Sequence, residues 1–217
     1  MSSRKAVVVG AGGHAVSVAE SIHASGLELV AFTSDDASVT TLLGRPVLRE
    51  VPQSHLDAGG IVVVAVGDNA SRERAWRALA DRLPLEQLPA LVHSSAVVAS
   101  NAQVGAGSVI LQGAVVGSAA RVGTGCLLNS GSILEHECVM EEFSSLAPGA
   151  VLGGRVRVGR RAAVSIGATV KHGLTIGEDT VVGAASYVHD SLPARVVAFG
   201  VPARVVRERR EGDPYLG

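Results

Sequence analysis

The stretch from Val104 to Gly123 reads VGAGSVILQGAVVGSAARVG, with an aliphatic residue at every sixth position: Val104, Ile110, Val116 and Val122. Outward from there, the rule holds from Val92 to Val188, where seventeen successive positions carry Val, Ile, Leu or Met. Two residues before each runs a second set, Ala90 to Ser186, and fourteen of its seventeen members are Ala, Ser or Cys. Glycine often follows the aliphatic residue, at Gly105, Gly117, Gly123, Gly153, Gly159, Gly177 and Gly183. Neither an α-helix nor a hairpin sheet has this period. A coil with three flat sides does, if each side is one short strand and a corner. The aliphatic residue then points into the prism, the small residue fits beside the bend, and glycine is expected where a corner needs positive φ. Three hexads close a coil of about 18 residues, so the repeat amounts to nearly six coils of a parallel β-helix.

The rest of the composition agrees. Of 217 residues, 47% are hydrophobic but only 3% aromatic, and 26 are glycine, which describes a core of small aliphatics on tightly wound backbone. With 19 Lys+Arg against 20 Asp+Glu the net charge is -1, which argues against a general nucleic-acid binder and against a membrane-surface protein. The apolar run Ala6 to Val9 is too short for a signal peptide, and no stretch approaches the ~20 apolar residues of a membrane span. Cys126 and Cys138 fall on the small inward position, which assigns them to core packing rather than to a disulfide framework. The expected location is cytoplasmic.

The expected domain boundaries are 1–88, 89–192 and a closing segment 193–217. The first has no hexads. Lys5 to Val9 reads as a buried strand, followed by the turn Gly10-Ala-Gly12-Gly13-His14-Ala15 and a helical pattern through Ile22. A second strand near Leu29 to Phe32 ends at Ser34-Asp35-Asp36. A third apolar run, Ile61 to Val66, ends at Gly67-Asp68-Asn69, and Arg72 lies on a helix running to about Arg82. This alternation predicts an α/β unit, a small parallel Rossmann-like sheet. A glycine turn between strand and helix is a place for phosphate, because free N–H groups and the helix dipole favour anions there. The phosphate would belong either to NAD or to the diphosphate of a nucleotide sugar, or the glycines serve the tight turn alone. Room for only three or four strands favours the nucleotide sugar over a full dinucleotide fold.

Inside the repeat, the segment from Leu127 to Cys138 departs from the glycine habit: Asn129 and Glu135 stand where glycine is frequent, and His136-Glu137 falls on a corner. A solvated surface histidine and a working pair are both compatible with that placement. Taken together, VVVGAGGHA (Val7–Ala15), SDD (Ser34–Asp36), VAVGDNASRER (Val64–Arg74), LNSGSILEHECVMEEFSSLAPGAVLGG (Leu128–Gly154) and FGVPARVV (Phe199–Val206) resemble the PglD/NeuD-type nucleotide-sugar acetyltransferases of the hexapeptide-repeat superfamily. The resemblance covers nearly the whole chain.

The resemblance implies a left-handed β-helix and an acetyl-CoA-dependent enzyme. It would acetylate the amine, most often at C4, of a nucleotide-linked amino-dideoxyhexose. His136 would be the general base, oriented by Glu137, with Asn129 near the oxyanion. An imidazole is suited to take the proton that an ammonium group must lose before attack. Backbone amides at Gly154, Ile166 and Ala184 would face the thioester and pantetheine of acetyl-CoA. Some relatives carry a second histidine where this chain has Ser145, a hydroxyl that can donate to a carbonyl but cannot act as an imidazole. Gly10, Gly12, Gly13 and His14 would contact phosphate and sugar. Asp35 and Asp36 would lie near the base or ribose, and Gly67, Asn69 and Arg72 would border the diphosphate. Related enzymes complete each site with a neighbouring subunit, so a homotrimer is expected. Acetylation of a sugar hydroxyl, as on sialic acid, and a non-catalytic nucleotide-sugar scaffold are the alternative readings.

β-Helix carbonic anhydrases hold zinc with histidines on such a prism, and His136 and His172 lie two coils apart. Their third histidine would stand at Glu141, and a stacked pair ~10 Å apart cannot share one ion within a subunit. No metal is expected.

Overall fold

The computed structural model describes residues 3–215. The chain opens with strand β1 (Lys5–Val9), helix α1 (Gly13–Ala24) and strand β2 (Glu28–Thr33). Strands β3 (Thr41–Leu42) and β4 (Arg45–Leu48), helix α2 (Gln53–Asp57), strand β5 (Ile61–Val64) and helix α3 (Asn69–Ala80) follow. The sheet order is β3-β4-β2-β1-β5. β1 pairs in parallel with β2 and β5, and β4 in parallel with β2. The sheet is nonetheless mixed, because β3 and β4 form an antiparallel hairpin. Its turn is Leu43-Gly44, both at positive φ (48° and 70°), the geometry that a two-residue hairpin demands. The sequence reading missed this hairpin and α2, since Leu-Gly is not an obvious turn pair and two residues of β3 show no period.

From Leu91 the chain winds into the prism, with seventeen two-residue strands ending at Tyr187–Val188. Side 1 carries Leu91–Val92 and every third strand after it, to Val181–Val182. Side 2 runs from Val97–Val98 to Tyr187–Val188, and side 3 from Gln103–Val104 to Thr175–Ile176. Each strand pairs in parallel with its counterpart in the next coil, as Val115 does with Ile133. The inward aliphatic residues and the small set, Cys126 and Cys138 among them, make one continuous core. Both thiols are fully buried, and burial pushes them up from their ordinary pKa. Side 1 is extended by the hairpin Val196–Gly200/Ala203–Glu208.

The glycines divide differently from the expectation. Those that directly follow the aliphatic residue are not at positive φ; a Cβ on Gly105 would lie 2.7 Å from the main chain of Gly123 in the next coil. They let adjacent coils approach. The left-handed position lies two residues later; glycine fills it at Gly107, Gly113, Gly125 and Gly131, while Ala119 and Glu137 take it at φ 57°. A non-glycine residue there adopts a sparsely populated conformation, at a cost of order 1 kcal/mol.

The α/β unit sits on side 1. The outward residues Leu91, Val109 and Leu127 of three successive coils pack under Ala15, Val18 and Ile22 of α1. Helix α3 adds Trp76, which meets Phe143 edge-on with ring centroids 5.8 Å apart. At the centre of this junction is Arg72, 1% exposed. Its Nε donates to Gly125 O (2.8 Å), and its terminal nitrogens donate to Gly67 O (2.9 Å), Asn69 Oδ1 (2.7 Å) and Phe143 O (2.8 Å). Asn69 in turn donates to Arg161 O (2.9 Å) and Ala162 O (3.1 Å). A second layer pairs Glu73 with Arg160 and Arg161, and Arg161 with Asp179 (2.6 Å).

Candidate active site

Two cavities flank the glycine turn. The first, about 560 Å³, opens at the carboxyl ends of β1, β2 and β5 against α3. Gly10, Ser34, Asp35, Asp36, Arg49 and Val66 are among its lining residues. Gly10 has φ 118°, and a Cβ there would lie 2.7 Å from Ala65 O, so only glycine fits. Gly12 caps α1 with extended backbone, no side chain bonds its first N–H groups, and nothing stands within 4 Å of a Cβ on Gly12 or Gly13. An anion can approach the main chain there directly. Asp36 accepts from the Ser38 hydroxyl (2.7 Å) and backbone (2.9 Å), which lowers its pKa.

The second cavity, about 310 Å³, lies between the α/β unit and the corner that follows side 1. His14, Gly67, Asn129, Ser145, Ile166 and Ala184 all line it. Val66 faces the first cavity and Gly67 the second, so the two are adjacent along the chain. Burial, with the Arg72 charge second, lowers the His14 pKa to about 4, which leaves a neutral ring at pH 7. Its Nε2 is buried and has no hydrogen-bond partner among the described residues. Asn129 Nδ2 donates to Leu146 O at 2.8 Å. Ser145 Oγ lies 3.0 Å from the Tyr215 hydroxyl.

His136 and Glu137 stand at the next corner, after side 2. The His136 Nδ1 lies 2.9 Å from Glu137 Oε2. A carboxylate can only accept, so Nδ1 carries a proton, and in the neutral ring Nε2 holds the lone pair. The imidazole lies over Gly154, where a Cβ would overlap Nε2. Arg155 reaches the same carboxylate at 3.9 Å. Both side chains of the pair are open to solvent, His136 by 49% and Glu137 by 55%. Among the described residues, no group of three or more His, Cys, Asp or Glu is arranged to hold a metal ion.

Against the sequence expectations the placement differs at two points. Asn69 and Arg72, expected at the diphosphate, are buried with their polar atoms spent on the junction between α3 and the prism. His14, expected at phosphate and sugar, lines the second cavity. The ladder of amides is split. Ile166 and Ala184 stand one coil apart and share the second cavity, but Gly154 lies on another corner of the prism, beneath His136. No main-chain carbonyl among the described residues accepts from the amides of Gly154, Ile166 or Ala184, so all three can donate. The sequence reading also missed Tyr215 and the role of Arg72. Leu91, Val109 and Leu127, apolar at the same outward place in successive coils, were the available sign of which side the α/β unit covers.

Comparison with known proteins agrees with this architecture. The PglD N-terminal domain family matches residues 5–79. A mutant of perosamine N-acetyltransferase from Caulobacter crescentus, in complex with CoA and GDP-perosamine, is 33% identical. It superposes with a TM-score of 0.84 over 94% of this chain and 97% of its own. The acetyltransferase domain of PglB from Neisseria gonorrhoeae, in complex with acetyl coenzyme A, is 30% identical, with a TM-score of 0.84 over 94% of this chain and 100% of its own. Galactoside O-acetyltransferase of Escherichia coli is 48% identical over 42 residues, a match that spans only 21% of its length. Fold and cavities define a left-handed β-helix acyltransferase carrying a nucleotide-binding α/β unit. Within that class, the chain belongs to the PglD-type nucleotide-sugar acetyltransferases of the hexapeptide-repeat superfamily. Among the described residues no helix is long and apolar enough to cross a membrane.

Proposed function

We propose that the protein transfers acetyl from acetyl-CoA to the amine, at C4, of a nucleotide-linked amino-dideoxyhexose, with His136 as general base. The adjacency of the two cavities across Val66-Gly67 carries this reading. A nucleoside in the first cavity places its diphosphate at the N-terminus of α1 and leaves the sugar to enter the second. There the free amides of Ile166 and Ala184, one coil apart, suit an extended pantetheine, and His14 Nε2 awaits a polar partner.

His136 follows Asn129 by seven residues, up to ~23 Å at about 3.3 Å each, and the two stand at opposite ends of one prism side, on different corners of the subunit. They belong to the same coil. In a homotrimer with its axis parallel to the prisms, equal coils lie at equal height, and the His136 corner of one subunit can face the Asn129 corner of the next. At such a site the amine nitrogen attacks the thioester carbonyl, and its proton passes to His136 Nε2. The new C–N bond forms and the C–S bond breaks. The imidazolium returns the proton to the departing thiolate, which leaves as CoA. Glu137 holds the ring through Nδ1 and stabilises its charge. Backbone amides and Asn129 supply donors to the oxyanion.

Thiol release from acetyl-CoA is to be measured against a panel of nucleotide amino sugars differing in base. Turnover with one of them is expected, and none at high enzyme concentration removes the proposal. The assembly has a separate test. His136→Asn and Asn129→Ala are each expected to be nearly inactive, yet a co-refolded equal mixture should recover about a quarter of wild-type sites, because random pairing restores that fraction. No recovery from a mixed trimer would place both residues in one subunit's site.

A further inference from the structure

The hydroxyl of Tyr215 has one proton and three oxygen neighbours. Gly67 O and Asn69 Oδ1, both at 3.3 Å, can only accept, and Ser145 Oγ lies at 3.0 Å. The orientation of the Asn69 amide follows from its own bonds, since its nitrogen donates to Arg161 O and Ala162 O while its oxygen accepts from Arg72. The Tyr215 hydroxyl is thus held among three oxygens, two of which, Gly67 O and Asn69 Oδ1, also accept from Arg72, and it shares a hydrogen bond with Ser145 in which either hydroxyl can donate.

The segment that delivers Tyr215 is tied down along its length. The Arg209 guanidinium grips Asp179 O and Asp213 O, Glu211 pairs with Arg161 at 2.8 Å, and Tyr215 N donates to Asp68 Oδ2 at 3.4 Å. Burial raises the phenol pKa, so the hydroxyl stays protonated at neutral pH. The ring lines the cavity at the height of Asn129 and Ser145, while Ile166 and Ala184 lie on later coils. If pantetheine runs along Ile166 and Ala184 toward the coil of His136, the acyl group ends against the Tyr215 ring.

Resting on the acetyltransferase reading above, we propose that Tyr215 is the wall that limits acyl length in the transfer cavity and the positioning residue that holds the Ser145 hydroxyl. An acyl chain two carbons longer than acetyl must displace a ring whose hydroxyl is held by three oxygens.

The test is calorimetric binding of CoA, acetyl-CoA and butyryl-CoA to the full chain, alongside Tyr215→Phe, Tyr215→Leu and Tyr215→Ala. Wild type is expected to bind butyryl-CoA at least about tenfold more weakly than acetyl-CoA. Tyr215→Ala should bring the two within about threefold with little change for CoA itself, and Tyr215→Leu provides the same comparison should the alanine variant not fold. Tyr215→Phe keeps the ring and should keep the length preference. With the bond to Ser145 Oγ removed, it should change kcat while leaving KM for acetyl-CoA within about twofold. If wild type binds CoA but the small variants keep its acetyl-to-butyryl ratio, or wild type shows no preference, the inference fails and the functional reading stands. If wild type binds no CoA, the functional reading itself fails.

Discussion

Two corners of one prism carry the candidate chemistry, and they are built from the same hexad. The corner after side 2 holds His136 above Gly154, with Glu137 at the left-handed position and solvent on the far side. The corner after side 1 holds Asn129, Ile166 and Ala184, but α1, Gly67 and Tyr215 cover it and turn a shallow edge into a cavity. The repeat decides where a side chain can stand. What is laid over the corner decides whether it stands open to solvent or lines a cavity with free amides. The function proposed above joins the two corners across subunits.

The largest effect is expected at the open corner. His136→Asn should lower kcat by about 100- to 10,000-fold with little change in CoA affinity, since the ring points away from the core and its help belongs to the transition state. Glu137→Ala should cost less, because the imidazole remains. A near-wild-type kcat for His136→Asn at pH 7 would leave this corner without a chemical role.

The covered corner depends on the junction beneath it. Arg72→Met removes the donors that satisfy Gly125, Gly67, Asn69 and Phe143. Leaving a buried acceptor without its donor typically costs ~1–3 kcal/mol, and four lose theirs here, so thermal unfolding should begin markedly lower. The prism core, which does not contain Arg72, should retain its hexad packing. If Arg72→Met melts within a degree or two of wild type, the junction is not a strong clasp.

Gly154→Ala sharpens the comparison on a finer scale. The added methyl would overlap the His136 ring and must push it aside. A displacement of about 1 Å at a reacting group can cost of order 100-fold, so a drop in kcat of roughly 10- to 100-fold is expected with unchanged melting. Steady-state kinetics beside a CoA titration separate this from loss of cofactor binding.

Legibility in the sequence followed periodicity. The prism could be read to the residue because every inward position repeats, and Cys126 and Cys138 found their place by counting alone. β1, β2, β5, α1 and α3 were readable because each is an apolar run or helical stripe next to a glycine or an acidic turn. The hairpin β3–β4 was not, because its strands are too short to show alternation. The candidate site was half legible. Asn129 announced itself by breaking the glycine habit and His136 by standing beside Glu137 on a corner, but Arg72 looked like any polar residue on a helix, since burial is set by the partner surface of the prism. Tyr215 lies 70 residues from Ser145 in sequence, and no local pattern links them.

The smallest effect concerns His14, in the covered corner. Its folded pKa is lowered to about 4, against 6.5 for the ordinary group, first by burial and then by the Arg72 charge. Between those values the unfolded chain binds the proton and the folded chain does not. Stability due to this group is therefore complete above about pH 6.5 and is lost as the pH falls toward 4, where the difference levels off. His14→Gln should remove that dependence. The gap in unfolding free energy between wild type and His14→Gln should shift against wild type by about 1–2 kcal/mol from pH 7 to pH 4, with the other titrating groups cancelling in the difference. Urea unfolding of both proteins at four or five pH values checks it. A constant gap would mean that His14 is freely hydrated, and the covered corner would then be as open as the one that carries His136.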